Sequence, residues 1–260
     1  MHSVVVNNWL REGKFMKLKA DYHIHSTYSK NNHGKSTIEE IVQKSVEIGL
    51  EEIAITDHGP KHFLYGIEKK NIQKAKNEII EMRKKYPQIK ILFGIEANIL
   101  NYDGGIDVND DLFNLCDIIL CGYHIGARFS SLNDLWNFYV MNFLGKYNKK
   151  LKEKQIEKNT NAVVNALNKN KINILAHPGD KIPVNIDKIA YAAQKNNTIL
   201  EISNHHKHLN AEEIKIAAKY DVKFAINSDS HIKDSIGGYE NGLKEAKEAG
   251  LDLNRIINLV

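Results

Sequence analysis

The sequence predicts an α/β chain folded as a single closed or nearly closed parallel barrel of the TIM type, and three observations carry that expectation. Seven short apolar runs alternate with segments whose apolar residues recur at helical spacing, the signature of repeated strand and helix units. The runs are apolar on successive residues, as strands covered on both faces are. They also keep ending in a histidine or an acid, and in such a barrel all strand C-termini share one rim, where active sites are built. An open doubly wound sheet is the alternative, although the first turn after a strand lacks the glycine-rich phosphate loop that usually accompanies it. At 260 residues without a visible linker, the chain reads as one domain over 17–260. Residues 1–16 form an N-terminal extension, with 4–9 packing on the body.

In chain order, a lysine-rich lead-in gives way to Asp21-Tyr22-His23-Ile24-His25-Ser26, the end of a first strand. Strand side chains alternate, so His23 and His25 share a face that Ile24 does not. Residues 27–35 are a loop holding His33; Ser36 then caps a helix with Glu39 as its capping-box partner, an apolar face of Ile38, Ile41, Val42, Val46 and Ile48, and Gly49 as its end. A strand over 52–58 precedes a helix over 68–86 whose inner stripe is Ile72, Ala75, Ile79, Ile80 and Met82. Strand three spans 90–98, a short helix 111–115 and strand four 117–124. Residues 132–168 form one or two helices, part of them an excursion over the site. Strands follow at 173–179, 198–203 and 223–231, with helices near 186–196, 211–220 and 238–249 and a terminal Ile256-Ile257 segment.

Composition narrows the function classes. With 42% hydrophobic and 26% charged residues and 4 prolines, the chain is neither disordered nor fibrous. No run approaches the roughly eighteen apolar residues of a membrane helix, and no signal peptide is visible, so a cytoplasmic protein with no membrane partner is expected. Cys116 and Cys121, five apart within one apparent strand, point to opposite faces and are not expected to pair, which suits a reducing compartment. The net charge is +4, but the lysines lie beside glutamates on helices, as solvated faces do, and form no basic stripe for nucleic acid.

The strand ends collect His23, His25, His58, Glu96, His124, His177, Asp229 and His231. Mixed imidazole and carboxylate donors suit Zn, Mn or Fe, whereas Ca or Mg sites prefer oxygen alone. Eight donors exceed one tetrahedral ion's needs, so more than one metal is implied. On the same rim, Arg128 is a candidate phosphate clamp, with Lys61, His62, His205 and His206 as further candidate substrate contacts.

His23-x-His25, Thr56-Asp57-His58-Gly59, Glu96 after an apolar strand, Tyr123-His124, Ala176-His177-Pro178 and Ser228-Asp229-Ser230-His231 resemble, as an ordered set, the successive motifs of the PHP family, named for polymerase and histidinol phosphatase. The resemblance runs from about Lys19 to Ala249. It implies a distorted seven-stranded (β/α) barrel holding two to three divalent ions that hydrolyse phosphoesters. It implies further that His23, His25, Glu96 and Asp229 hold one metal, that Glu96 bridges to a second held by His124 and His177, and that His33, His58 and His231 hold a third. Glu96, Asp229 and His58 are then the expected catalytic group, with Asp21 and Asp57 hydrogen-bonded to ligand histidines. Three divalent ions less two carboxylates leave roughly four positive charges, which attract a phosphate dianion; a metal-activated hydroxide would attack phosphorus. The expected activity is hydrolysis of a small phosphomonoester, a histidinol-phosphate-like one among the options. Phosphodiester cleavage in nucleic acid and a non-catalytic metal-stabilised regulatory domain are the alternatives.

Overall fold

The computed structural model describes residues 10–11 and 14–260; the expected packing of residues 4–9 lies outside the described residues. A short antiparallel pair, β1 (Leu10–Arg11) and β2 (Lys14–Phe15), leads in. Seven parallel strands then pair in sequence order: β3 (Ala20–Ile24), β4 (Glu52–Ile55), β5 (Lys90–Asn98), β6 (Ile118–Gly122), β7 (Ile174–Leu175), β8 (Ile199–Ser203) and β9 (Phe224–Asn227). The sheet closes nearly into a barrel. At the C-terminal rim a parallel bridge joins Ile24 to Ser230 beyond β9, where Ser230 N donates to His23 O and His25 N to Ser230 O. At the opposite end the C-terminal segment fills the seam: Ile257 N donates to Phe224 O, and the buried Asn258 amide donates to the carbonyls of Ala20 and Ile226. One side chain thus satisfies backbone groups that a continuous ladder would otherwise pair.

Helices alternate with the strands: α1 (Ile38–Glu47), α2 (Lys69–Lys85), α3 (Asp110–Leu115), α4 (Leu132–Leu135), α5 (Asn142–Gly145), α6 (Lys149–Lys169), α7 (Ile186–Asn196), α8 (Ala211–Ala217) and α9 (Glu240–Glu248). A π-helical segment, Trp136–Met141, joins α4 to α5. The capping box of α1 is Thr37 with Glu40, one residue later than expected, because the Ser36 hydroxyl instead accepts from Lys233 N. On α2, Ile72, Ala75 and Ile79 are buried, but Ile80 lies a further 100° or so round the helix and is exposed. Cys116 caps α3 and belongs to no strand; it and the buried Cys121 are both free thiols. Among the described residues no helix is long and apolar enough to cross a membrane.

The large core lies between the sheet and its helices and includes Ile24, Ile53, Phe93, Ile119, Leu200 and Phe224. Burying each large apolar side chain contributes about 1.5–3 kcal/mol. A smaller cluster, Ala20, Tyr22, Ala54, Leu120, Ile174 and Ala225, fills the other face of the strands inside the barrel. Pairing of β3 with β4 shifts register between Asp21 and Ile24. That irregularity lets Tyr22 join the interior cluster while its neighbour His23 faces the same interior one layer higher, in keeping with the frequent placement of bulges beside active sites.

Candidate metal centre

The ladders of β4, β6, β7 and β9 end sooner than expected, at Ile55, Gly122, Leu175 and Asn227. His58, His124, His177, Asp229 and His231 therefore stand on the first residues of the loops rather than in strands. His177 (φ 30°) and Asp229 (φ 50°) adopt left-handed backbone, at a cost on the order of 1–3 kcal/mol each. Both strands turn sharply where a ligand is needed. Gly122 makes room for two of them: a Cβ there would come within 3.1 Å of both the His124 and His177 rings.

The structure brings all nine expected metal ligands together. Glu96, fully buried on β5, is the hub. Its Oε2 lies 2.8 Å from His58 Nδ1, 3.3 Å from His23 Nε2 and 3.6 Å from His25 Nε2. Its Oε1 lies 2.8 Å from His124 Nε2 and 3.0 Å from His177 Nε2. Asp229 Oδ1 approaches His25 Nε2 at 3.2 Å and His23 Nε2 at 3.5 Å. His33 Nε2, on its loop, is 3.2 Å from His58 Nε2 and 2.8 Å from His231 Nε2.

These residues fit a metal. His23 Nε2, both His25 ring nitrogens, His58 Nδ1 and Glu96 Oε2 are buried without a hydrogen-bond partner, a condition costing about 1–3 kcal/mol per group. Donor atoms from His23, His25 and Asp229, from His58, Glu96 and His124, and from His25, His58 and His231 each gather within 4.8 Å. Two donors at about 2.0–2.2 Å from one tetrahedral ion stand roughly 3.3–3.6 Å apart, within the range of the separations above. A cation among them would satisfy the orphaned lone pairs and remove their mutual repulsion.

Electrostatics favour the ligating protonation states at the two carboxylates and at most of the imidazoles. Burial alone would raise the Glu96 carboxyl, yet the rings of His124, His23 and His58 hold it well below its usual range. Burial is outweighed likewise at Asp229, chiefly by His23, His206 and His25. Burial pushes His25, His58 and His124 down, and brings His33 to about 3 and His62 to about 4, so their lone pairs stay free. His23 and His177 behave oppositely: burial lowers both, but Glu96, Glu201 and Asp229 together carry His23 well above the ordinary value, and Glu96 chiefly raises His177.

Glu201, in the middle of β8, is the residue that sequence reasoning missed. Its Oε1 lies 2.8 Å from His23 Nδ1, and its Oε2 accepts from His177 N at 2.8 Å. A carboxylate behind a ligand imidazole fixes the tautomer that leaves the far nitrogen for metal. Asn98 does the same for His124, with its Oδ1 2.8 Å from Nδ1 and its own amide donating to Asp107. An acid inside an otherwise apolar strand was the available signal. Asp21 and Asp57, expected in this supporting role, bind elsewhere: Asp21 accepts from Ser228, Gly237 and the His23 backbone N–H, and Asp57 from Ser26 and Ser29. They tie the ligand-bearing loops together without reaching a ligand ring.

The ligands open into a cavity of about 830 Å³, of a size for a small molecule. His205, His206 and the buried His62 line it, His62 stacking on His58 at 4.8 Å. His206 Nε2 lies 3.0 Å from Asp229 Oδ2, and its Nδ1 3.4 Å from Asp180 Oδ2. Arg128 and Lys61 are exposed and lie outside the cavity lining; the Arg128 N–H donates to Lys61 O, so the two anchor each other's loops through backbone. Glu201 and Asp180 are both held below their usual range, against the effect of burial, by His23 and by Lys181 respectively. Counting Glu201 reduces the expected surplus with three divalent ions from roughly four positive charges to roughly three, Asp180 being offset by Lys181 at 2.7 Å.

The comparisons with known proteins agree with this geometry. The chain is 30% identical over 257 residues to a probable phosphatase of Thermoanaerobacter sp. (strain X514), covering 94% of this chain and 91% of that protein. It is 28% identical to a probable phosphatase of Acetivibrio thermocellus, covering 94% and 92%. Its fold is similar to that of a histidinol phosphate phosphatase from Lactococcus lactis solved with zinc, L-histidinol and phosphate, at a TM-score of 0.60 and 16% identity, over 90% of this chain and 94% of that one. A family model described as the PHP domain matches residues 21–249, a span that begins at the acid before the first ligand pair and takes in every ligand above. With nine donors in the expected order on a seven-stranded barrel, the chain belongs to the PHP-domain family.

Proposed function

We propose that the chain is a metal-dependent hydrolase of phosphoric esters acting on a small phosphomonoester. The observation that carries this reading is the set of buried, unpartnered donor atoms converging on Glu96. The phosphatase names of the relatives and the zinc and phosphate of the Lactococcus neighbour support it. In this reading His23, His25, Glu96 and Asp229 would hold one ion, Glu96 with His124 and His177 would hold a second, and His33, His58 and His231 would hold a third. Two to three Zn, Mn or Fe ions, when bound, would acidify water toward neutral pH, clamp phosphate oxygens and stabilise the leaving alkoxide.

The chain's own residues do the rest. Glu201 and Asn98 hold His23 and His124 in the ligating tautomer. The strands around Glu96 exclude solvent, so charge interactions there are stronger than in water. Asp229 and His58 exchange protons with the reacting water, and His205 and His206, on the cavity wall, meet the phosphoryl oxygens. Arg128 and Lys61, outside the lining, have no part in this reading.

The test is metal-stripped protein reloaded with Mn or Zn and assayed on a panel of phosphomonoesters, histidinol phosphate included, and phosphodiesters. Metal-dependent monoester hydrolysis is expected. Preference for diesters or nucleic acid would replace the reading with phosphodiester cleavage. Stoichiometric metal without turnover of any ester would replace it with a non-catalytic, metal-stabilised domain.

A further inference from the structure

Beside the ligand cavity lies a second chamber of about 510 Å³, and Ile125 and Lys181 line both. The two are therefore contiguous across one short wall. The chamber is made by the excursion between β6 and β7: Phe138 and Tyr139 come from the π-helical segment, Phe143 from α5, and Lys146 and Lys152 from the turn into α6 and its start. Single π-helical turns are uncommon and concentrate at functional sites. This one is tied to the metal centre, since the Gly126 N–H donates to the Tyr139 hydroxyl two residues after the ligand His124.

The chemistry of the lining is one-sided. Three lysines contribute to it, and among the lining residues no carboxylate does. Lys181, at the boundary, is matched by Asp180 at 2.7 Å. Lys146 lies over the Phe143 ring at 6.0 Å; Lys146 and Lys152, both exposed, stand at the chamber's wall, which holds no acid, and also line the adjoining groove that includes Glu153. An amine-bearing alcohol placed there would meet like charge, whereas an anion would be drawn in, more strongly at low salt. The aromatic and aliphatic side chains of the lining, Tyr123, Ile125, Phe138, Tyr139 and Phe143, supply an apolar wall.

We propose that this chamber receives the alcohol part of the phosphomonoester and selects one with an apolar body and a distal anionic group, either a carboxylate or a second phosphate. The proposal rests on the phosphomonoesterase reading above and names its substrate class. Phosphoryl group and distal anion are then held by separate parts of the molecule, the first by the metal centre and the second by Lys146 and Lys152.

The test uses the Mn- or Zn-loaded full chain and four probes: phenyl phosphate, 4-carboxyphenyl phosphate, 1,4-phenylene bisphosphate and 4-(aminomethyl)phenyl phosphate. Each is assayed with the wild-type protein and with the double variant Lys146→Gln/Lys152→Gln. Comparing each ester with itself across the two proteins cancels the different leaving-group acidities. The kcat/KM of the two anionic esters, taken relative to phenyl phosphate, is expected to fall roughly tenfold in the variant, mostly through KM, while that of the aminomethyl ester relative to phenyl phosphate rises. A response of the carboxylate ester alone or of the bisphosphate alone supports the chamber and identifies which anion it takes. Equal changes for all four esters, with phenyl phosphate still hydrolysed, would overturn the chamber assignment and leave the phosphatase reading standing. Failure of the loaded wild-type protein to hydrolyse any of the four would overturn both.

Discussion

His23, His25, Glu96 and His177 are at most 5% exposed and issue from strands or the residues directly beyond them. His33 rides on the loop before α1, and His231 keeps a quarter of its side chain open. The inner ligands are backed by charge, with Glu201 behind His23 and under the His177 backbone. The outer His33 is backed by an aromatic ring, stacking on Tyr65 at 3.9 Å. Held by ladder hydrogen bonds, the core and a carboxylate, the inner set is organised before any ion arrives; the outer set depends on loop geometry. The inner ions should accordingly bind more tightly, and the third should be the first to leave.

The sharpest way to break this comparison is Glu96→Gln, which keeps size and one acceptor but removes the charge shared among the inner donors. Turnover should fall on the order of a hundredfold or more, as for loss of a transition-state electrostatic element, with less metal retained. Near-normal turnover with full metal content would end the view that Glu96 is the hub. Next comes Glu201→Gln, which touches no ion. We expect metal affinity to weaken by roughly 10–100-fold, measured by competition with a chelator, with far-UV circular dichroism unchanged; undiminished affinity would show that the inner set does not need its charged backing.

His33→Ala addresses the outer set. Elemental analysis should show two to three transition-metal equivalents in the wild-type protein and about one fewer in the variant, with much of the activity lost and the fold kept. Unchanged metal content would make His33 an ordinary loop residue and the centre a two-metal one. The smallest effect concerns pH in the metal-free protein. His33 is pushed down to about 3 from an unfolded value near 6.5, so below pH 6.5 the unfolded chain binds a proton that the folded one refuses. Stability from this group is thus fully present above about pH 6.5 and is lost as pH falls toward 3. His33→Ala should flatten the acid side of the melting-temperature profile over that window, and an identical slope in both proteins would count against this burial effect.

Much of the site was legible because its ligands are chemically distinctive and sit at strand ends, where a parallel barrel collects them on one rim. What was not legible follows from how supporting contacts are made. Nothing in Thr198-Ile199-Leu200-Glu201-Ile202-Ser203 says which imidazole Glu201 will face, because that imidazole lies 178 residues away in the chain. Asp21 and Asp57, close to ligands in the sequence, looked like their supports, yet the register shift after Asp21 breaks the alternation that would set it beside the His23 ring, and Asp57 lies past the end of β4; both serve the backbone and serines of the loops. Arg128 and Lys61 had the right chemistry on the right rim, but rim position does not decide which way a loop side chain turns.

By itself, the sequence determined the order of the seven barrel strands and of the helices between them, the extent of β5 and α7, and the eight donor-bearing residues at the strand ends, with His33 added by the family resemblance, since periodicity and donor chemistry are local properties of the chain. The tertiary structure alone decided the rest: the register shift in β3, the early ends of β4, β6, β7 and β9, the Asn258 seam, the Glu201 support and the lysine-lined chamber. Each depends on pairings between residues far apart in the chain. Such pairings are selected by the closure of the barrel as a whole, and no window of residues contains both partners.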